Sequence, residues 1–115
     1  MMAVIFEVVP HAEHKNDYLA IAAELKPVLE KMDGFISVER FQSITDPSKI
    51  LSLSFWRDEE SIRQWRNIEM HRHAQAEGRK IIFKDYHLRI ATVVRDYGMF
   101  DRKEAPEDSR KFHVG

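Results

Sequence analysis

Residues 3–9, Ala-Val-Ile-Phe-Glu-Val-Val, are apolar at every position except Glu7. A strand made from them offers water neither face, because successive side chains alternate across the sheet. Any fold of this chain must therefore cover that strand from both directions. Pro10 closes the run, since proline has no N–H to give to a ladder.

Downstream, Tyr18, Ile21, Ala22, Leu25, Val28, Leu29 and Met32 recur every three or four residues, which predicts an amphipathic helix. Asn16 or Asp17 can cap its start, and Gly34 lies just past its end. Pro27 inside the stripe implies a kink or a short second helical piece. Two strands are expected over residues 35–44 and 49–57, joined around Thr45-Asp-Pro-Ser48. In the first, Ile36 and Val38 share a face with Arg40 and Gln42, with Phe35 and Phe41 opposite. In the second, Leu51, Leu53 and Phe55 alternate with Ser52, Ser54 and Trp56. Asp58-Glu-Glu60 opens a second helical region, with acids at the positive end of its dipole. Asn67 reads as another N-cap, so a break is expected there, with helix continuing to about residue 83. The last strand is expected over residues 86–97, closed by Gly98.

The order β-α-β-β-α-β is that of the ferredoxin-like α+β fold with a four-stranded antiparallel sheet. Two helices cover one face of such a sheet. The first and last strands are apolar on both faces, so the open face calls for a second copy, sheet against sheet, in a homodimer. At 115 residues the chain suits a single domain, placed at residues 1–98, with a charged tail over 99–115 expected to be poorly ordered. A net charge of −1 gives no electrostatic case for nucleic acid or an anionic membrane. No apolar run reaches the roughly 20 residues of a membrane span. The absence of cysteine rules out disulfides, thiolate nucleophiles and sulfur-held metals, and a cytoplasmic location is the default expectation.

Several segments then point to one family. Gly34-Phe35 opens the second strand and Ser54-Phe-Trp56 closes the third, followed by Glu59 to Trp65 and His73-Ala-Gln-Ala-Glu-Gly-Arg79. Tyr86-His-Leu-Arg-Ile-Ala91 then runs to Arg95-Asp-Tyr-Gly98. With these the chain resembles the antibiotic biosynthesis monooxygenase family of dimeric α+β barrels. The resemblance implies a monooxygenase acting on a small aromatic or quinol-like molecule, with no cofactor. In that scheme the deprotonated substrate itself reduces oxygen. The quinone-forming branch uses a polar residue, a tryptophan and a tyrosine along the second helix. Aligned on Trp65, this chain has Ser61 for its asparagine and His71 for its tyrosine. The heme-degrading branch uses a first-strand asparagine and a histidine ten residues after the tryptophan. Here those positions are Glu7 and Gln75, and an amide is a poor iron ligand. Heme is therefore the alternative cofactor, with His71 as its ligand. A non-catalytic dimeric domain that binds a small metabolite is the remaining alternative.

On this basis Trp65 and His71 are the catalytic candidates, with Asn67, Gln75, Arg79 and Tyr86 as substrate-binding candidates. Helical phase places His71 and Gln75 on the arc of Ala74, Gly78 and Ile82, and His73 on the polar side. An imidazole of ordinary pKa could take a phenolic proton. Arg79 could hold an anionic group, and Tyr86 could wall a pocket. Each residue also has a plain structural reading: core aromatic for Trp65 and Tyr86, core-edge hydrogen bonding for His71, surface cover for Arg79. Glu7, between Phe6 and Val8, needs a partner if buried, for which Arg89 or Arg95 is available. The histidines show no trusted metal-ligand spacing, and no glycine-rich phosphate or dinucleotide fingerprint is present.

Overall fold

The computed structural model describes residues 1–77 and 82–111, with side chains described over 1–69 and 82–109. Its elements are β1 (Met2–Pro10), α1 (Lys15–Glu30), β2 (Phe35–Gln42), β3 (Ile50–Trp56), α2 (Glu59–Glu77), β4 (Phe83–Thr92) and a short α3 (Glu107–Lys111). The strands form one antiparallel sheet in the order β2-β3-β1-β4, so the doubly apolar β1 lies inside it, as its sequence requires. Both long helices pack on one face, giving the expected ferredoxin-like architecture.

Register decides which side chains meet the helices. Val4 lies opposite Ser54 and Ile90, and Phe6 opposite Ser52 and Leu88. That row faces Tyr18, Ile21, Leu25 and Leu29 of α1 and Ile62 and Trp65 of α2. Val8, Trp56 and Ile82 are wholly buried. The Trp56 indole is satisfied there, its N–H donating to Ser54 Oγ at 2.9 Å, and its ring meets Phe35 edge-on at 5.4 Å. The serines of β3 thus face the helices, while Leu51, Leu53 and Phe55 point to the open side with Ile5 and Val9, all only partly covered.

Several expectations are corrected. Phe35 was expected opposite Val38, but a bulge between Phe35 and Ser37 puts an extra residue into β2 and turns Phe35 toward Trp56. Helix α2 runs without a break through Asn67, which is exposed and leaves the backbone ladder intact. Residue 83 is the start of β4, because Phe83 pairs with Pro10 and its ring contacts Phe6 at 6.1 Å and Tyr18 at 5.8 Å. These tertiary contacts outweigh helical continuation. β4 ends at Thr92, five residues early, where the chain leaves the sheet after Val93 N–H bonds Met1 O. Helix α1 starts at Lys15, with His14 Nδ1 and Asp17 Oδ2 2.9 Å apart, and continues through Pro27. Beyond β4, Arg102 donates to Gly98 O at 3.0 Å and to Ser109 Oγ at 2.7 Å, and Ala105 is buried.

The link from β3 into α2 is firmly built. Asp58 Oδ1 accepts Ser61 N–H at 2.9 Å and Ser61 Oγ–H at 2.8 Å, an N-cap that draws the carboxyl down to about 2. Gly34 reaches over this cap at φ +86°, where a β-carbon would collide with the Ser61 side chain. Arg57 ties the same corner to Asp33 with two hydrogen bonds of 3.1 and 2.9 Å. No described helix is long and apolar enough to cross a membrane.

Candidate functional site

Between α2 and the helix-covered side of the sheet lies a cleft. It is small and partly open to solvent, with a volume of about 50 Å³, below the roughly 300–1,000 Å³ of typical small-molecule sites. The floor is apolar: Val4 and Phe6 from β1, Leu88 and Ile90 from β4. The roof is Ile62, Trp65, Arg66 and Glu69 of α2, and Arg40 comes in from β2. The register forces this meeting. Arg40 lies opposite Ser52, which lies opposite Phe6, so the guanidinium rises from the covered face of the sheet.

Three polar groups converge in these surroundings. Glu69 is held above the usual carboxylate range, chiefly by burial; the Arg40 charge and a hydrogen bond from Trp65 pull the other way. Trp65 and Glu69 are four residues apart on α2, the spacing that stacks side chains on one helical face. Tyr18, from α1, is raised by burial and by the Glu69 charge, against a hydrogen bond and charge from Arg40. The Arg40 guanidinium carbon lies 6.0 Å from the Tyr18 ring centre, and its Nε is buried with no hydrogen-bond partner among the described residues. A carboxyl that burial pushes up therefore sits beside the Arg40 cation, over the apolar floor of the cleft. Such a pair can remove a proton and hold the anion that results.

The sequence candidates distribute unevenly around this cleft. Trp65 is 9% exposed and lines it. Tyr86 is on β4, 60% exposed, with its ring 5.7 Å from Phe6, and is not among the cleft-lining residues. Asn67 is exposed on α2 and is not among the lining residues. His71 and Gln75 belong to the α2 backbone, but their side chains lie outside the described residues, and Arg79 lies outside them altogether. Ser61, aligned with the asparagine of the quinone-forming branch, is committed to the Asp58 cap. Glu7 faces the open side, 3.4 Å from Arg89, and Arg95 bonds Glu104 O instead. Among the described residues no imidazole lines the cleft, and no three His, Cys, Asp or Glu side chains converge in a metal-holding cluster.

Arg40, Glu69 and Tyr18 were not candidates from sequence. Tyr18 reads as one member of an apolar stripe. Two signals were present, however: an arginine on the same strand face as Val38, and a glutamate one helical turn after Trp65.

Comparison with known proteins bears on the whole assembly. A family model described as antibiotic biosynthesis monooxygenase matches residues 1–77. A jasmonate monooxygenase of Pyricularia oryzae is 48% identical over 93 residues, covering 81% of this chain. The chain spans only 43% of that relative's length. Protein YqjZ of Bacillus subtilis is 28% identical over 93 residues, which cover 81% of this chain and 79% of that one. Among solved structures, Rv0793 of Mycobacterium tuberculosis superposes with a TM-score of 0.71 at 13% identity, covering 84% of this chain and 98% of its own.

Proposed function

This chain belongs to the antibiotic biosynthesis monooxygenase family, and from that premise we propose that it oxidises a small apolar compound with molecular oxygen, without a cofactor, using Glu69 as base and Arg40 as anion holder. The observation that carries this reading is Glu69, its carboxyl raised by burial, lining the cleft beside the Arg40 guanidinium. The substrate is one whose ionised form is delocalised: a phenol, a quinol or an enolisable ketone. The name of the jasmonate relative supports the wider class, since jasmonate is a ketone bearing a carboxylate.

The steps balance without a further reductant. Glu69 takes a proton from the acidic O–H or C–H of the substrate. The anion, held by Arg40, passes one electron to oxygen, and the resulting substrate radical and superoxide join in a C–O bond. The peroxide anion recovers the proton from Glu69. Loss of water from a carbon that bears a second hydrogen leaves a carbonyl. Overall a methylene and one dioxygen become a carbonyl and one water.

In this reading the proton role passes from His71 to Glu69, and Trp65 holds the base through its indole N–H. The domain works as a homodimer, with the apolar open face of Ile5, Val9, Leu51, Leu53 and Phe55 covered by a second copy. Heme finds no support among the described lining residues, which offer neither imidazole nor thiolate. The test is turnover of phenol, quinol and cyclic-ketone substrates under ¹⁸O₂ with a chelator present. One labelled oxygen in the product supports the proposal. Product without label, or none across the panel, contradicts it.

A further inference from the structure

The α2 residues that roof the cleft follow the spacing i, i+3, i+4, i+7: Ile62, Trp65, Arg66 and Glu69. Ile62 and Trp65 belong to the core, but the next position carries an arginine where an amphipathic helix ordinarily places an apolar residue. Arg66 lines the cleft and is exposed, so it stands where the cleft meets solvent. The inner recess of the cleft, toward α1, is lined by Arg40, Ser52, Trp65 and Glu69 but not by Arg66. The two guanidiniums therefore lie at different depths, Arg40 inside and Arg66 at the mouth. They also differ in what they hold. Arg40 bonds Tyr18, and its charge acts on Glu69. Arg57, Arg63 and Arg89 each meet a carboxylate, and Arg95 and Arg102 bond backbone carbonyls. Among the arginines whose side chains are described, Arg66 is the one left without a partner.

From this arrangement we infer that Arg66 determines specificity in the reaction proposed above, on which the inference rests, by holding a carboxylate that the substrate carries away from its reacting end. The cleft has only about 50 Å³, a few times the roughly 10–15 Å³ that one water needs, so a substrate enters by one end and leaves the rest at the mouth. The entering end meets the apolar floor and the pair of Arg40 and Glu69. What stays outside meets a guanidinium that has no carboxylate of its own chain to give up. A carboxylate suits it, because the planar fork of donors takes both carboxylate oxygens at once. Local charge favours an anion as well. In a chain of net charge −1, the described lining carries two arginines, Arg40 and Arg66, against the single carboxyl of Glu69. The substrate class narrows to an acid whose reacting group and carboxylate lie at opposite ends of an apolar body.

The probes are homogentisate, a quinol acid, and cyclopentanone acetic acid, an enolisable ketone acid, each compared with its own methyl ester. Binding to the wild-type protein in the absence of oxygen, measured by calorimetry, should favour the acid over the ester by about five- to tenfold, between the strength of an exposed ion pair and that of a charged hydrogen bond. Arg66→Gln should bring acid and ester to within twofold of each other, and Arg66→Lys should keep part of the preference. Arg63→Gln removes a charge from the same helix at a residue paired with Glu60, and it should keep the whole preference. No binding, or no preference for the acid in wild type, overturns the inference, as does a preference that survives in Arg66→Gln. An equal loss in Arg63→Gln also overturns it, since a diffuse field of the helix would then be acting. A preference lost in Arg66→Gln, with no turnover of either acid, leaves the carboxylate anchor standing and removes the oxygenase reading. Equal turnover of acid and ester does the reverse.

Discussion

Glu69 lies one turn beyond Trp65 on α2, and the two share the roof of the cleft that Arg40 enters from the sheet, where a polar interaction with Trp65 opposes the burial that raises the carboxyl. This pairing gives the family's helical tryptophan a chemical duty that does not depend on stacking with a substrate. It favours the ionised form of a carboxyl that burial pushes the other way.

Trp65→Phe keeps the ring and removes the donor. Because the hydrogen bond lowers the Glu69 pKa, its loss should raise it further. The acid limb of kcat/KM, which reports the free base, should move to higher pH, with little change in the plateau rate. A pH–rate profile of wild type and variant checks this, and a limb that stays in place or moves to lower pH refutes it.

Arg40→Met removes the charge while keeping most of the stem. The rate should fall by about 10²–10³, the usual cost of losing a donor aimed at developing charge. The acid limb should again shift upward, since the Arg40 charge also lowers Glu69. Retained activity would dismiss Arg40 as the anion holder.

The same carboxylate makes stability depend on pH. A group whose folded-state pKa lies above its unfolded value contributes stability below the unfolded pKa. That contribution is lost as pH rises through the folded value. Burial raises Glu69 in the folded chain, so wild type should lose ground to Glu69→Gln as pH climbs from about 4 to neutrality. Paired thermal melts across that range measure the difference, and a constant gap would show that Glu69 is not desolvated.

Much of this protein was legible in its sequence because the fold depends on alternation and helical phase, which single residues report. The doubly apolar run at residues 3–9 required an inner strand, and β1 is one. The errors fell where long-range pairing overrides local preference. The bulge at Phe35 breaks the period of two, and the Pro10–Phe83 pairing takes residue 83 away from the helix. The site was legible only at Trp65. Arg40 and Glu69 come from different elements, and only the β2–β3–β1 register brings one beneath the other.

Gly34→Ala should destabilise the fold by about 1–3 kcal/mol, since the backbone sits at φ +86° and the added carbon meets Ser61. Chemical denaturation checks the size of the loss. An unchanged midpoint would mean that the turn relaxes freely.

Leu53 lies mid-sheet on the open face, opposite Ile5 of β1 and Glu39 of β2. Leu53→Lys should convert the proposed dimer to monomer in sedimentation velocity while leaving the helical signal intact. A wild-type protein that sediments as a monomer would remove the dimer from the account.

The most direct measurement is oxygen uptake by wild type and Glu69→Gln on a substrate that wild type turns over, at pH 7.5 with chelator present. The amide preserves size and can still accept from Trp65, but it cannot take a proton. A drop of about 10²–10⁴ in kcat with unchanged fold is the result the account predicts. Wild-type rates in Glu69→Gln would contradict it and return the proton step to another residue.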